Sequence, residues 1–325
     1  MKKIVYVTGC LGFIGSYVTQ MCLDQGWYVI GVDKFTYAAQ SHKLDEFSQN
    51  SRFKFIRSDI NDLTALYDCD YVINTAAETH VDNSIVSSKE FLHSNINGVQ
   101  NLLELIRKKD KFRMPTLLHF STDEVYGDIS EGSHTETDLL KPSNPYSATK
   151  AAADMLIIAW GRTFKIPYII VRPTNNYGIG QYVEKLIPKT CKLLHLGKKI
   201  PLHNKGTPKR VWLHAKDTAN AVITIINSND NGECINQIYN IGGNIELSNI
   251  DVVSKIINLN YWDKRLEYKY PDVEKFCDFT YSREGQDVRY SLDDSKLRKL
   301  GWDNLYKLDE ELPHIVGYYK NNFIW

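Results

Sequence analysis

The chain alternates short apolar runs with longer segments in which apolar positions recur every three to four residues. Ile4 to Val7 is an unbroken β-branched and aromatic run, the pattern of a strand buried on both faces. Phe13 to Gln25, closed by Gly26, has helical spacing, and WYVIGVD returns to strand and ends at Asp33. RFKFI predicts a strand leading to Asp59 and Ile60, YVINTAA another over Tyr71 to Ala77, and TLLHF another over Thr116 to Phe120. Between them SNINGVQNLLELIRKK predicts an amphipathic helix from about Ser94, and NPYSATKAAADMLIIAWGRTF a long helix from Pro145 to Phe164. YIIVRP, Tyr168 to Pro173, is a further strand running into TNNYG. Regular strand–helix alternation of this kind predicts an α/β protein with a doubly wound parallel sheet.

After about Gly178 the pattern changes. A helix is mixed with short β pieces, a helix follows over Asp217 to Ile226, and YNIGG (Tyr239 to Gly243) reads as a strand and tight turn. SNIDVVSKIINLN predicts a helix with Ser248 as N-cap, LEYKY a short strand, and Asp309 to Tyr319 a last helix. Two domains are expected: residues 1–177, and a smaller mixed α/β domain over 178–325, with an interleaved boundary.

Composition narrows the function. Of 325 residues, 39 are Lys or Arg and 39 are Asp or Glu, and this balance argues against nucleic acid as a main partner. Six cysteines (Cys10, Cys22, Cys69, Cys191, Cys234 and Cys277) lack C-x-x-C spacing, so no metal site or disulfide framework is expected, and a reducing, cytoplasmic setting fits. MKKIVYVTG reads as a buried strand rather than a signal peptide, and no apolar run reaches the length of a membrane span.

The first strand runs into TGCLGFIGS, with glycines at 9, 12 and 15, then a helix, then a strand ending in an acid. Glycines at such a turn let the backbone approach a pyrophosphate that the helix N-terminus stabilises, and the Gly12 to Asp33 spacing suits an acid bonding a ribose. Glycine spacing alone is a weak signal; the two flanking strands and the acid in register make a Rossmann-like dinucleotide site the better reading. Asp33 repels a 2′-phosphate, which favours NAD over NADP, although Lys34 stands beside it. Asp59 and Ile60 are placed to meet an adenine, and small Ala76 and Ala77 permit close approach of a cofactor.

The chemistry is concentrated between Ser121 and Lys150. STDEVYG follows the TLLHF strand, and YSATK opens the long helix, so Tyr146 and Lys150 share one helical face. A nearby ammonium favours the phenolate, and a phenol so tuned can act as a general base. Taken alone, a Tyr–Lys pair at this spacing is common on amphipathic helices, and adjacent carboxylates after a strand are often a solvated turn. Asp123 and Glu124 in unlike environments can instead divide acid and base roles, with Thr122 offering a hydroxyl. The C-terminal half holds Lys185, Arg210, Arg283 and Arg289, candidates for a substrate diphosphate or ordinary surface charges. His80, alone in a polar loop, is a weak candidate.

With these residues in hand, the chain resembles an extended short-chain dehydrogenase/reductase of the nucleotide-sugar type over essentially its whole length. TGCLGFIG resembles that family's cofactor loop and YSATK its catalytic pair. STDEVYG resembles the mark of its NDP-glucose 4,6-dehydratases. THVDNS, NPYSATKAAADMLIIAWGR, EKLIPK and RYSLDDSKLRKLGW are similar to the dehydratase domain of plant-type UDP-rhamnose synthases, and somewhat less so to bacterial dTDP-glucose 4,6-dehydratase. Gln286 stands where the bacterial enzymes usually have His, which the plant-type sequences also lack, and Ile179 and Val183 depart from the usual loop before EKLIPK; these departures bear on base recognition.

The resemblance implies that Tyr146, assisted by Lys150, takes the sugar 4-hydroxyl proton while the C4 hydride passes to NAD. Glu124 then removes the C5 hydrogen, Asp123 protonates the departing C6 hydroxyl, Thr122 holds the 4-oxygen, and the hydride returns to C6. It further implies that Gly9, Gly12, Phe13, Ile14, Gly15, Asp33, Lys34, Asp59, Ile60, Ala76, Ala77, Ser94, Tyr146, Lys150 and Asn176 line NAD. Thr122, Asn175, Lys185, Leu186, Arg210, Asn240 and Arg283 are implied to face the substrate. A homodimer through the helices near 94–108 and 145–164 is expected on the same ground.

Overall fold

A computed structural model describes residues 2–229, 231–261, 272–282 and 287–322. The LEYKY strand and Arg283 of the sequence reading lie outside the described residues. The strands are β1 (Ile4–Thr8), β2 (Tyr28–Asp33), β3 (Phe53–Arg57), β4 (Tyr71–Asn74), β5 (Thr116–Phe120), β6 (Tyr168–Pro173), β7 (Asn175–Tyr177), β8 (Ile200–Pro201), β9 (Lys209–His214), β10 (Gln237–Ile241), β11 (Ile245–Ser248) and β12 (Cys277–Asp278). The helices of the first half are α1 (Phe13–Asp24), α2 (Ser41–Ser48), α3 (Val81–Val86), α4 (Lys89–Phe91), α5 (Gly98–Arg107) and α6 (Pro145–Phe164). Those of the second are α7 (Leu186–His195), α8 (Ala215–Asn227), α9 (Asn249–Tyr261), α10 (Ser295–Arg298) and α11 (Leu308–Asn321).

Seven strands form one sheet in the order β10-β6-β5-β4-β1-β2-β3, with every pairing parallel. Helices cover both faces, so the central strands are buried throughout and their sequences read as apolar runs. This is the doubly wound fold that the alternation predicts. The order reverses between β1 and β4, and the cleft at that switch point is where such sheets take ligands.

Elements beyond position 178 contribute to both expected domains. α8 packs against α1, and β10 adds the seventh strand beside β6, so residues 215–241 return to the main sheet. A second core, including Ile187, Trp212, Ile256 and Ile315, is built from α7, α9, α11 and the small sheet β11-β9-β7. Sequence pattern gives α8 and β10 as elements, but not their return, because pairing partners are absent from local periodicity.

The helix expected from Ser94 begins a turn earlier. It starts at Lys89 and passes through a π-helical turn, Leu92–Asn97, before α5. Within that turn Asn95 bonds the backbone N–H and C=O of Glu78 at 2.9 and 3.0 Å, and the Thr149 hydroxyl at 3.0 Å. π turns recur at functional sites, and this one fastens the Glu78 loop to Thr149 of α6.

α6 starts where its chemistry dictates. Asn144 accepts from the Ser147 N–H at 2.9 Å, Ser147 returns a bond to the Asn144 N–H, and Pro145 occupies the first turn. Its buried face carries Tyr146, Lys150 and Asp154. Asp154 accepts from Arg172 Nε at 3.0 Å, Arg172 Nη2 at 2.9 Å and Ser121 Oγ at 3.0 Å. Arg172 also donates to the Tyr126 hydroxyl at 2.7 Å, tying α6, β6 and the STDEVYG turn into one unit. Removing one partner of so deeply buried a pair strands the other. Arg172→Leu is therefore expected to cost about 3–5 kcal/mol in urea unfolding, and a cost below about 1 kcal/mol would contradict the clamp.

Candidate active site

The cleft opens over the C-terminal ends of β1, β2, β4, β5 and β6 and has a volume of about 310 Å³. Its floor is the glycine loop. Gly9 has φ +68°, and a Cβ there would stand 2.8 Å from the Ala76 backbone; one on Gly15 would stand 2.0 Å from the Gly9 carbonyl oxygen. Gly12 caps α1 without a side-chain bond, so the cap itself supplies no acceptor to the first-turn N–H groups. This cradle fits a dinucleotide pyrophosphate.

Asp33 sits at the end of β2 and accepts from the Leu11 N–H at 3.0 Å and the Phe35 N–H at 2.8 Å. It therefore also pins the glycine loop to β2. Burial raises its pKa, and these two N–H bonds oppose the rise. The Lys34 ammonium is drawn to Asp59 Oδ2 at 3.2 Å and Ser94 Oγ at 3.4 Å. That pairing offsets the charge that qualified the preference for NAD.

Thr122, Asp123 and Glu124 stand where β5 ends and a 3-10 turn begins. Asp123 is almost fully buried, accepts from Thr122 Oγ1 at 2.9 Å, and has its second oxygen buried without a partner. Burial, reinforced by the Glu124 charge, pushes its carboxyl up to about 7. Burial also raises Glu124, and Arg210 and an Asn144 Nδ2 bond at 3.2 Å work against that rise. The two carboxyls thus have unlike surroundings, which is what division of acid and base roles requires.

Tyr146 faces these carboxyls from α6. Burial and then the Glu124 and Asp123 charges push its phenol upward, and a bond to Thr122 opposes them. The expectation that Lys150 lowers the phenol is not met here: the Lys150 ammonium donates instead to the Phe120 carbonyl at 2.5 Å. Burial draws Lys150 down to about 8, against the attraction of Asp154.

Gly9, Gly12, Phe13, Ile14, Gly15, Asp33, Lys34, Asp59, Ile60, Ala76, Ala77, Ser94, Asn175, Asn176 and Lys185 all line the cleft with Thr122, Asp123, Glu124 and Tyr146. Lys150 lies buried behind the wall. Lys185 caps α7 and donates to the Thr79 carbonyl at 3.0 Å. Three expected substrate residues stand elsewhere. Leu186 begins α7 and packs against the second core. Arg210 lies over the Tyr290 ring at 4.6 Å and donates to Asp287 O at 3.2 Å, and its charge acts on the Asp123 and Glu124 carboxyls. Asn240 is fully buried, and its side chain is taken up by Tyr126 OH, His134 O and Asp293 O at 2.9, 3.0 and 3.2 Å. Arg289, a candidate for the diphosphate, pairs with Glu246 at 2.7 Å.

Several cleft residues carried no signal in the sequence. Glu78 and Thr79 belong to a stretch read only as a polar loop, and Gln181, Tyr182 and Glu184 come from the segment after β7. Tyr37, itself outside the lining, donates to Glu184 at 3.2 Å. His80 has its Nδ1 buried without a hydrogen-bond partner.

The chain is similar to several known proteins. The dTDP-glucose 4,6-dehydratase of Haemophilus influenzae is 39% identical over 98% of each chain. A trifunctional UDP-glucose 4,6-dehydratase/UDP-4-keto-6-deoxy-D-glucose 3,5-epimerase/UDP-4-keto-L-rhamnose-reductase of Arabidopsis thaliana is 36% identical over 99% of this chain and 48% of its own. The dTDP-glucose 4,6-dehydratase of Streptomyces venezuelae, crystallised with NAD bound, superposes with a TM-score of 0.88 at 33% identity, over 98% of this chain and 97% of its own. A family model described as GDP-mannose 4,6 dehydratase matches residues 6–314, and the chain belongs to that family.

Proposed function

We propose that this protein is an NDP-glucose 4,6-dehydratase, a hydro-lyase that removes water from UDP-glucose to give UDP-4-keto-6-deoxyglucose. The observation that carries the reading is the Asp123–Glu124 pair, the first carboxyl buried and the second half-buried, set in one cleft with Tyr146 and the glycine loop. A 4-epimerase or simple dehydrogenase needs proton transfer at one hydroxyl; an elimination needs a base and an acid besides. The residues of the cradle that hold the coenzyme are those around Gly9, Gly12, Gly15 and Asp33. NAD bound there supplies a hydride acceptor for C4 and, once reduced, a donor for C6.

Tyr146 takes the proton of the sugar 4-hydroxyl, with Thr122 bonding the oxygen and Lys150 fixing charge behind it. The 4-ketone acidifies the C5 hydrogen, which Glu124 removes. Asp123 gives its proton to the departing C6 hydroxyl. With its carboxyl near 7, Asp123 holds that proton below neutrality and loses it above. Turnover is therefore expected to fall about tenfold per unit above about pH 7, as the alkaline limb of a kcat–pH profile reads.

UDP-glucose is favoured by the similarity to the plant enzymes along THVDNS and EKLIPK, and rhamnose synthesis is the natural destination. The Haemophilus influenzae relative favours a second reading, dTDP-glucose. Incubation of purified protein with each sugar nucleotide and no added coenzyme, followed by mass spectrometry, separates these. Loss of one water supports the dehydratase, the faster substrate names the nucleotide, and unchanged mass in both overturns the proposal. A cytoplasmic homodimer through α5 and α6 accompanies this reading; half-exposed Met155 on α6 is apolar surface available to a second copy.

A further inference from the structure

Three polar residues lie side by side across the middle of the sheet. Thr8 on β1 pairs in register with Asn74 on β4, and Asn74 pairs with His119 on β5. All three are fully buried where apolar side chains would cost nothing, and each satisfies the next: Thr8 Oγ1 to Asn74 Oδ1 at 2.6 Å, Asn74 Nδ2 to His119 Nδ1 at 3.0 Å. The row begins one residue before Gly9. It ends at His119 Nε2, which stands 3.4 Å from the Lys150 ammonium nitrogen.

We propose that His119, backed by Asn74 and Thr8, is a positioning relay that holds Lys150 in place in both its charged and its neutral form. The inference rests on Lys150 partnering Tyr146 in the reaction above. The donor and acceptor inventory gives the row two self-consistent settings. In one, Thr8 donates to the Asn74 oxygen and the Asn74 amide donates to Nδ1. The imidazole proton is then on Nε2 and points at an unprotonated Lys150 amine. In the other, the Asn74 amide is turned over, its oxygen accepts from Nδ1–H, and its NH₂ donates to Thr8. Nε2 is then an acceptor for the Lys150 ammonium. One amide rotation, one hydroxyl reorientation and a move of the imidazole proton between Nε2 and Nδ1 connect the settings, while Lys150 gains or loses one proton to solvent and the imidazole is neutral in both.

The surroundings suit a tautomeric relay. Burial and the adjacent Lys150 keep the imidazole neutral by holding its pKa well below the usual histidine range. Lys150 itself is drawn to about 8 by burial, so both of its forms are accessible near neutral pH. The charged group acting on Lys150 is Asp154, one turn further along α6 and paired with Arg172; Tyr146, one turn before it, faces Asp123 and Glu124 instead. The Phe120 carbonyl fixes a second ammonium hydrogen. His119 is thus the neutral, adjustable partner among fixed ones.

The test is the tautomer of His119 in ¹⁵N-histidine-labelled protein with its coenzyme bound, assigned by loss of the signal in His119→Gln. The relay predicts the Nδ1–H tautomer below about pH 8 and the Nε2–H tautomer above it, with the pH dependence abolished in Lys150→Met. A single tautomer from pH 6.5 to 9.5, or a change that persists in Lys150→Met, overturns the proposal. This readout needs no substrate, so its failure is distinct from failure of the dehydratase reading. Kinetics add a second check on the first step, followed in a single turnover. Replacing the imidazole by an apolar group disfavours the ammonium, so where loss of the Lys150 proton, near 8 in the parent, slows that step, His119→Leu moves the loss down by about one pH unit. KM and bound coenzyme stay as in the parent, and His119→Gln, which keeps an amide acceptor, restores the profile. Equal losses in kcat and KM with an unmoved profile would mark His119 as packing only.

Discussion

Glu124→Gln is expected to lower product formation by about 10²–10⁴-fold, the usual worth of a positioned general base, while leaving the fold and the first step intact. The substitution keeps an oxygen able to accept from Asn144 Nδ2, now 3.2 Å from the carboxylate, so the geometry of the 3-10 turn is preserved. What disappears is basicity towards the C5 hydrogen. Incubation in D₂O reads this directly: the parent enzyme brings solvent deuterium to C5, and the variant does not. Wash-in at the parent rate would show that Glu124 is not the base. Asp123→Asn makes the complementary loss, since an amide cannot give a proton to the departing hydroxyl, and it should also remove the fall in rate above about pH 7.

Gly15→Ala is expected to have the largest effect on coenzyme. A Cβ there would stand 2.0 Å from the Gly9 carbonyl oxygen and 2.6 Å from Thr75 Oγ1. The first obstacle is backbone, and the second is held by its own 2.6 Å bond to the Thr8 carbonyl, so neither yields cheaply. α1 must move off the glycine loop, and the cradle opens. Overpacking of this kind costs about 1–3 kcal/mol in stability, and misplacement by about 1 Å costs on the order of 10² in rate. NAD released on denaturing the purified protein, compared with the parent, measures the consequence. Full occupancy in the variant would mean that the loop does not carry the pyrophosphate.

Much of the architecture is legible along the chain because central parallel strands are buried on both faces. Val5, Val7, Ile73 and Leu118 reveal strands locally, and the Asn144–Pro145–Ser147 cap reveals where α6 begins. The cleft is legible for a related reason: glycines that a Cβ would break, and acids at strand ends, are local features. What local reading misses depends on pairing over distance. Asn240 and Arg210 look like free polar groups until β10 and β9 are placed, whereupon Tyr126, His134, Asp287 and Tyr290 claim them. Lys150 is expected to act on Tyr146 because both share a helical face, yet its ammonium is bonded to the Phe120 carbonyl at the end of β5. The Thr8–Asn74–His119 row is the clearest case, since its members are 66 and 45 residues apart and meet only through strand register.

The central claim is that one cleft oxidises C4, eliminates water across C5 and C6, and reduces C6. The most direct measurement follows UDP-glucose carrying deuterium at C4, incubated without added coenzyme, by mass spectrometry and NMR of the product. The account predicts a product lighter by one water that carries the deuterium at C6. A product of unchanged elemental composition, or one from which the label has been lost, would contradict it.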